Sequence, residues 1–155
     1  MTSQQYQDDM ERIRPRLLRA ARHYLRDADE AEDVAQDVML KLWSMHEELH
    51  PPIDQLALVI TKNLCIDRIR IRRPRAHLDE AKASEDEEDD RLEMMQRAIN
   101  TLPPLQQTIL RLRHEEGMET KDIASLMGVS DMAIRKMLSR ARMAVRNLLM
   151  NNKKR

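Results

Sequence analysis

Phenylalanine is absent from the 155 residues of this chain, and glycine (two), tyrosine (two), tryptophan (one) and cysteine (one) are rare. No stretch has the aromatic and β-branched composition typical of a strand, whereas the abundant leucine, methionine, alanine, arginine and glutamate favour helices. The lone Cys65 excludes an internal disulfide, which fits a reducing cytoplasm. No apolar run approaches the ~20 residues that span a bilayer. We therefore predict an all-α, cytoplasmic protein without membrane insertion.

The net charge of zero conceals a sorting of charge along the chain. Residues 79–90 hold eight acidic side chains and one basic, whereas residues 91–155 hold 13 basic and six acidic. The acidic run repels itself and cannot bury a core, so we predict an acidic flexible linker at 76–91; the alternative is one exposed face of a helix. The linker would join two small helical domains, residues 1–75 and 92–150. The basic second domain is the better site for a polyanion.

Three apolar stripes at helical spacing predict a three-helix bundle in the first domain. Trp43 is compatible with either the core or a partner contact, and the core is favoured. The aliphatic, alanine and methionine side chains expected to pack inside are Ile13, Leu17, Ala21, Leu25, Val34, Val38, Leu42, Met45, Leu49, Ile53, Leu56, Ile60 and Leu64.

A helix-turn-helix is predicted in the second domain, between Thr120 and Leu149. Thr120 can cap a short helix, Gly128 can take the left-handed conformation that ends it, and Ser130 can cap the next helix. That second helix buries an apolar stripe and leaves an outer face of arginine and lysine with almost no acid. In this motif such a face lies in the major groove of duplex DNA. The alternative is a helical hairpin with a solvated basic face.

The segment His46-Glu47-Glu48-Leu49-His50 fits H-E-x-x-H, the signature of zinc proteases. Three observations oppose that interpretation. Pro51-Pro52 should end the helix at the second histidine, and neither a third ligand nor a sheet that could hold a substrate is evident. We therefore predict no metal, no other cofactor and no enzyme activity.

Two segments in a fixed order point to a known family. They are EAEDVAQDVMLKLW with VITKNLCIDRIRIRRPR, and INTLPPLQQTILRLRHEEGMETKDIASLMGVS with AIRKMLSRARMAVRNLL. Their order, separation and joining segment resemble the extracytoplasmic-function type of sigma factor, the promoter-recognition subunit of bacterial RNA polymerase. The resemblance implies a region 2 at 1–75 that binds core polymerase and melts the −10 element, and a region 4 at 92–150 that reads the −35 element. A stand-alone helix-turn-helix regulator, normally a dimer on two half-sites, is the alternative.

The resemblance also implies roles for individual residues and partners. Core RNA polymerase would be contacted by Asp33, Gln36, Asp37 and Leu40. The −10 DNA would be contacted by His50, Lys62, Asn63, Arg68 and Arg70, with Asn63 holding a flipped-out base. The loop around His50 departs from the usual pattern because it has no aromatic side chain for stacking. At the −35 element, the bases would be read by Arg135, Lys136, Ser139 and Arg140, and the DNA backbone would be contacted by Thr120, Lys121 and Arg142. An anti-sigma factor is the third implied partner, after core polymerase and promoter DNA.

Overall fold

The structure, a computed structural model, describes residues 1–72 and 83–153. These residues form helices and contain no β-strand, which confirms the prediction of an all-α fold. A single 3-10 turn, His46–Glu48, lies between the second and third α-helices. The α-helices are α1 (Ser3–Leu25), α2 (Ala28–Ser44), α3 (Asp54–Arg72), α4 (Ala83–Asn100), α5 (Pro104–His114), α6 (Thr120–Met127) and α7 (Asp131–Lys153).

The chain divides into two compact units, and the first is a bundle in which α1 packs against both α2 and α3. The predicted apolar stripes are buried here, with Ile13 and Leu17 of α1 and Val34 of α2 all at 0% exposure. Leu64 is an exception and is only half-buried. The inward face of α3 instead continues from Thr61 to Cys65, one helical turn later. The Thr61 hydroxyl is satisfied there because it donates to the Ala57 carbonyl at 2.8 Å.

An ion pair joins α1 to the start of α3. Two N–H groups of Arg12 donate to the Asp54 carboxylate at 2.6 and 2.8 Å, and Arg16 lies 3.2 Å from it. The hydrogen bonds from Arg12 hold the pKa of Asp54 below its ordinary value of 3.8. Because the folded-state pKa is lowered, this pair stabilises the fold above the unfolded-state pKa, and the stabilisation is lost as the pH falls through the folded-state pKa.

Asp54→Asn is therefore expected to lower the free energy of unfolding at pH 7, and the difference from wild type should shrink as the pH falls to about 3. Urea unfolding at both pH values, followed by the fluorescence of the single tryptophan, measures this. Glu11→Gln removes an exposed carboxylate of α1 and serves as the control. An equal loss for Asp54→Asn at both pH values would contradict the assignment.

The second unit is built around α7, against which α4 and α5 pack. The buried stripe of α7 runs along Ile134, Leu138 and Ala141, with exposures of 0%, 1% and 0%. Helix α5 ends at His114, and Gly117 follows in the left-handed conformation with φ +68°. Glycine adopts this positive φ at no steric cost, which suits the turn that follows the helix.

The acidic run differs from the extended linker that we predicted. Helix α4 begins at Ala83, so residues 83–91 are helical, and the side chains of residues 87–91 are exposed. This corrects the expectation for that part and favours the alternative, an exposed helix face. Acidic side chains near a helix N-terminus interact favourably with the macrodipole, and the buried Ala98 and Ile99 anchor the other end of α4. The remainder of the run, up to residue 82, lies outside the described residues.

None of the helices in the described part of the chain combines the length and the apolar character needed to cross a membrane.

Candidate nucleic-acid interface

The exposed face of α2, which we call the α2 outer face, carries the four residues predicted to bind polymerase: Asp33, Gln36, Asp37 and Leu40. All four side chains are exposed, and that of Leu40 is 67% exposed. Their spacing of three and four residues places them on one side of the helix. Val34, Val38 and Leu42 occupy the opposite side and are fully buried. One side of α2 therefore builds the bundle core while the other is available to a partner.

Trp43 extends the α2 outer face, so the prediction that it lies in the core is wrong. Its side chain is 44% exposed. The Tyr6 ring of α1 lies against it edge-on with ring centres 5.1 Å apart, and the His46 ring stacks on it at 4.1 Å. Tyr6 is the buried member of this group, and its hydroxyl donates to the Met39 carbonyl. The spacing indicates an exposed position, because Trp43 follows the exposed Leu40 by three residues and so lies on the same face of the helix.

The H-E-x-x-H segment does not have the geometry of a zinc protease. His46 begins a 3-10 turn that ends at Glu48, and Leu49 is extended with ψ 149°. The two histidines are therefore not one α-helical turn apart, as that signature requires. The His46 ring nitrogen Nδ1 lies 2.7 Å from the Trp43 carbonyl oxygen. Within residues 1–72 and 83–153, no group of three or more histidine, cysteine, aspartate or glutamate side chains could hold a metal ion.

The residues predicted to bind −10 DNA lie on α3 and on the turn before it. His50 and Lys62 are exposed, and Asn63 is half-buried. The turn around His50 is held by the buried Leu49 and Ile53 on either side of it, each 2% exposed. Arg68 and Arg70 follow Asn63 by roughly one and two helical turns, which spreads the basic groups along the C-terminal half of α3.

Acidic residues of α2 pair with the basic end of α3. Arg68 donates to the Asp37 carboxylate at 3.3 Å, and Arg72 forms a second ion pair with Glu30. Arg70 lies 4.0 Å from Asp67 on its own helix. The Arg68 pair thus joins a residue predicted to bind polymerase to one predicted to bind DNA. These partners are 31 residues apart in the chain, so no local pattern indicated the pairing.

The helix-turn-helix has the local geometry that the sequence predicted. Gly128 has φ +68°, and the amide of Val129 donates to the Ala124 carbonyl, which closes the end of α6. The Ser130 hydroxyl accepts a hydrogen bond from the Ala133 amide at 3.1 Å and so caps α7. Thr120 is not the helix cap that we predicted, because it is already the first residue of α6. The carbonyl of Glu119, one residue earlier, accepts the first helical hydrogen bond from Ile123.

The residues predicted to read −35 bases lie together on the exposed side of α7. The side chains of Arg135, Lys136, Ser139 and Arg140 are all exposed. Arg135 is held in the first turn by an ion pair with Asp131, whose carboxylate lies 2.9 Å from the Arg135 Nε. This pairing accounts for the acid at the start of an otherwise basic face.

The residues predicted to touch the DNA backbone lie at the sides of this face. Lys121 is exposed on α6, and Thr120 is half-buried. The Nε of Arg142 donates to the Nε2 of His114 on α5 at 3.1 Å. Burial, followed by the nearby charges of Arg142 and Arg113, lowers the pKa of His114. A neutral His114 can accept this hydrogen bond, which holds the Arg142 side chain against α5.

Two family models match separate parts of this chain. The model for Sigma-70 region 2 matches residues 10–75, and the model for Sigma-70, region 4 matches residues 92–145. The chain belongs to the sigma-70 family. The identification of an extracytoplasmic-function sigma factor from the two sequence segments is thereby confirmed.

Individual proteins are also similar to this sigma factor. The probable RNA polymerase sigma factor RfaY of Xanthomonas campestris pv. campestris is 37% identical over an alignment of 145 positions, and the alignment covers 81% of this chain and 35% of that protein. The sigma factor RpoE–anti-sigma factor NepR structure from Bartonella quintana is 20% identical with a TM-score of 0.41, covering 94% of this chain and 97% of that one. A chain of the RsbN–BldN complex is 17% identical with a TM-score of 0.38, covering 92% and 90%. The chain spans about a third of the length of the RfaY relative.

Region 4 of this sigma factor carries three further exposed side chains on α7 that the sequence analysis did not single out. Met132 and Met143 are 66% and 62% exposed, and Arg146 is also exposed. The exposure of the two methionines was not predicted because an apolar residue in a helix is ordinarily assigned to the core. Helical spacing was the available signal, since both fall on the side opposite Ile134 and Leu138.

Proposed function

We propose that this sigma factor is a transcription initiation factor that binds core RNA polymerase and directs it to promoters. It would melt the −10 element with region 2 and read the −35 element with region 4. The observation that carries the proposal is the presence of two different exposed surfaces on one chain. One is the acidic and apolar α2 outer face in region 2, and the other is the basic face of α7 in region 4.

In region 4, α7 would lie in the major groove of the duplex. Arginine and lysine neutralise phosphates, and arginine also bonds guanine bidentately through its two parallel donors. Arg140 is best placed for base reading, because its side chain is exposed and Arg135 and Arg142 already have partners at Asp131 and His114. Binding by such a face should weaken steeply as salt rises, since each neutralised phosphate releases counterions.

In region 2, the half-buried Asn63 would hold an unstacked −10 base. An asparagine amide donates and accepts hydrogen bonds, so it can pair with a base edge that has left the duplex. Arg68 and Arg70 would bind the phosphates of the melted strands. Docking of polymerase on Asp37 would compete with the Asp37–Arg68 ion pair and leave Arg68 available to DNA. The two activities of region 2 are thus joined through one salt bridge.

No bond is made or broken by this protein in the proposed mechanism. The polymerase would supply the catalysis, and the sigma factor would supply positioning and strand separation, so we propose that it is not an enzyme. Its site of action would be the cytoplasm, where the polymerase and chromosome are. An anti-sigma factor that covers polymerase-binding surfaces is the further partner that the family resemblance implies.

Run-off transcription with core polymerase on a genomic fragment library tests the function. Promoters that require this protein are expected. If none appears, the proposed function is wrong. A dimer that protects a palindrome without polymerase would instead indicate a stand-alone regulator.

Two substitutions separate the proposed roles of the regions. Arg140→Ala is expected to weaken −35-dependent holoenzyme binding by roughly 5- to 150-fold, the usual cost of losing a bidentate base contact. Asn63→Ala should leave closed-complex binding intact and slow strand opening, measured by 2-aminopurine fluorescence at the −10 element. Arg97→Ala, which removes an exposed arginine of α4, is the control for charge. If both test variants match wild type, these residue assignments are wrong.

A further inference from the structure

Met132 lies on the line of α7 side chains that points away from the core of region 4. Residues 132, 136, 139 and 143 follow one another at intervals of four, three and four, which places them on one ridge. We call this the α7 ridge; its side chains are Met132, Lys136, Ser139 and Met143, all of them exposed. The opposite side carries Ile134 and Leu138, which are buried. The ridge therefore places two methionines on the same side as the proposed base-reading residues.

The first turn of α7 leaves Met132 as its one long apolar side chain in solvent. Asp131 is occupied by its ion pair with Arg135, Ala133 is half-buried, and Ile134 is fully buried. Met132 is 66% exposed. A single exposed methionine is common on protein surfaces. Its position is what distinguishes this one, because the N-terminal residues of a recognition helix are those that contact base edges.

We propose that Met132 is a specificity-determining residue that contacts the 5-methyl group of a thymine in the −35 element. Thymine is the one base of the four that presents a methyl group in the major groove, beside its O4 acceptor, so an apolar side chain can select it. The unbranched thioether of methionine adapts its shape to such a contact. The proposal rests on the proposed function, since it requires α7 to lie in the major groove.

Replacement of thymine by deoxyuridine tests the contact, because it removes the methyl group and keeps every hydrogen-bonding atom. The probe is a promoter duplex whose −35 element has been selected from a random library by the wild-type holoenzyme. Each thymine of the element is replaced in turn, and the dissociation constants of wild type, Met132→Ala and Met143→Ala holoenzymes are compared. Met143→Ala is the matched control, because it removes the same exposed side chain about 16 Å further along the helix.

For wild type, one replacement is expected to weaken binding by about fourfold, the effect of losing one buried methyl group. Met132→Ala should lose the sensitivity at that position only, and Met143→Ala should retain it. A selected element without thymine, or the same deoxyuridine profile for wild type and Met132→Ala, would overturn the proposal. If instead the proposed function is wrong, the holoenzyme will bind duplexes with the selected −35 element and duplexes with a scrambled one equally well.

Discussion

Replacement of Leu138 with alanine is expected to destabilise region 4 strongly, so that it unfolds and loses promoter binding at a lower temperature than wild type, while the stability of region 2 is unchanged. Leu138 is 1% exposed and lies in the middle of the buried stripe of α7. Loss of a buried leucine side chain costs about 2–5 kcal/mol, because it removes transfer free energy and leaves a cavity. A small domain has only about 5–15 kcal/mol of stability in total. The same helix carries the proposed base-reading side chains, so its loss removes the −35 contact as well.

The single tryptophan makes the effect on each unit separately measurable. Trp43 lies in region 2, so its fluorescence follows that unit, whereas far-ultraviolet circular dichroism follows all the helices. In Leu138→Ala, part of the helical signal should be lost at lower temperature while the Trp43 transition keeps its midpoint. Met143→Ala, on the exposed side of α7, is the control and should leave both unchanged. A Trp43 transition that shifts together with the helical signal would show that the two units do not unfold separately.

Replacement of Leu40 with arginine is expected to abolish binding to core polymerase without loss of the fold. Leu40 is 67% exposed on the α2 outer face, between the carboxylates of Asp33 and Asp37 and the ring of Trp43. Apolar residues at the centre of an interface can contribute about 2 kcal/mol or more, a loss of roughly 30-fold in affinity. Arginine adds the cost of desolvating a charge, so the expected loss exceeds that figure.

The affinity of the variant for core polymerase is measured by fluorescence anisotropy in the absence of DNA, which separates docking from promoter binding. Ile71→Arg is the matched control, because Ile71 is 83% exposed on α3 of the same unit and receives the same new charge. Thermal unfolding of both variants should match wild type. Equal affinity of Leu40→Arg and Ile71→Arg would show that the α2 outer face does not bind polymerase.

The hydrophobic stripes were predictable from sequence because they depend on short-range geometry. Residues three and four apart share a helix face, so the burial of Val34, Val38 and Leu42 follows from their spacing alone. Caps and turns are equally local. Ser130 caps α7, and Gly128 takes the left-handed conformation, because each property is set by one residue and its immediate neighbours.

The environment of a side chain that has two possible locations could not be predicted in this way. Trp43 suits a core by its size and an interface by its position; in the structure it stays 44% exposed, with the Tyr6 ring of α1 packed edge-on against it. Residues 83–91 suit a solvated linker by their charge, yet they continue into a helix anchored by Ala98 and Ile99. Both outcomes depend on how the folded helices pack, which the local sequence pattern does not contain.

The helix-turn-helix at Thr120–Leu149 and its basic face were determined by the sequence itself, because a helical period and its caps need no information from other parts of the chain. Which of the cations predicted to bind DNA already have a partner within the protein was decided by the tertiary structure. Arg142 is bonded to His114 of α5, and Arg68 is bonded to Asp37 of α2. Such pairings join residues about 30 positions apart, and they exist only when helix packing brings the two side chains within hydrogen-bonding distance.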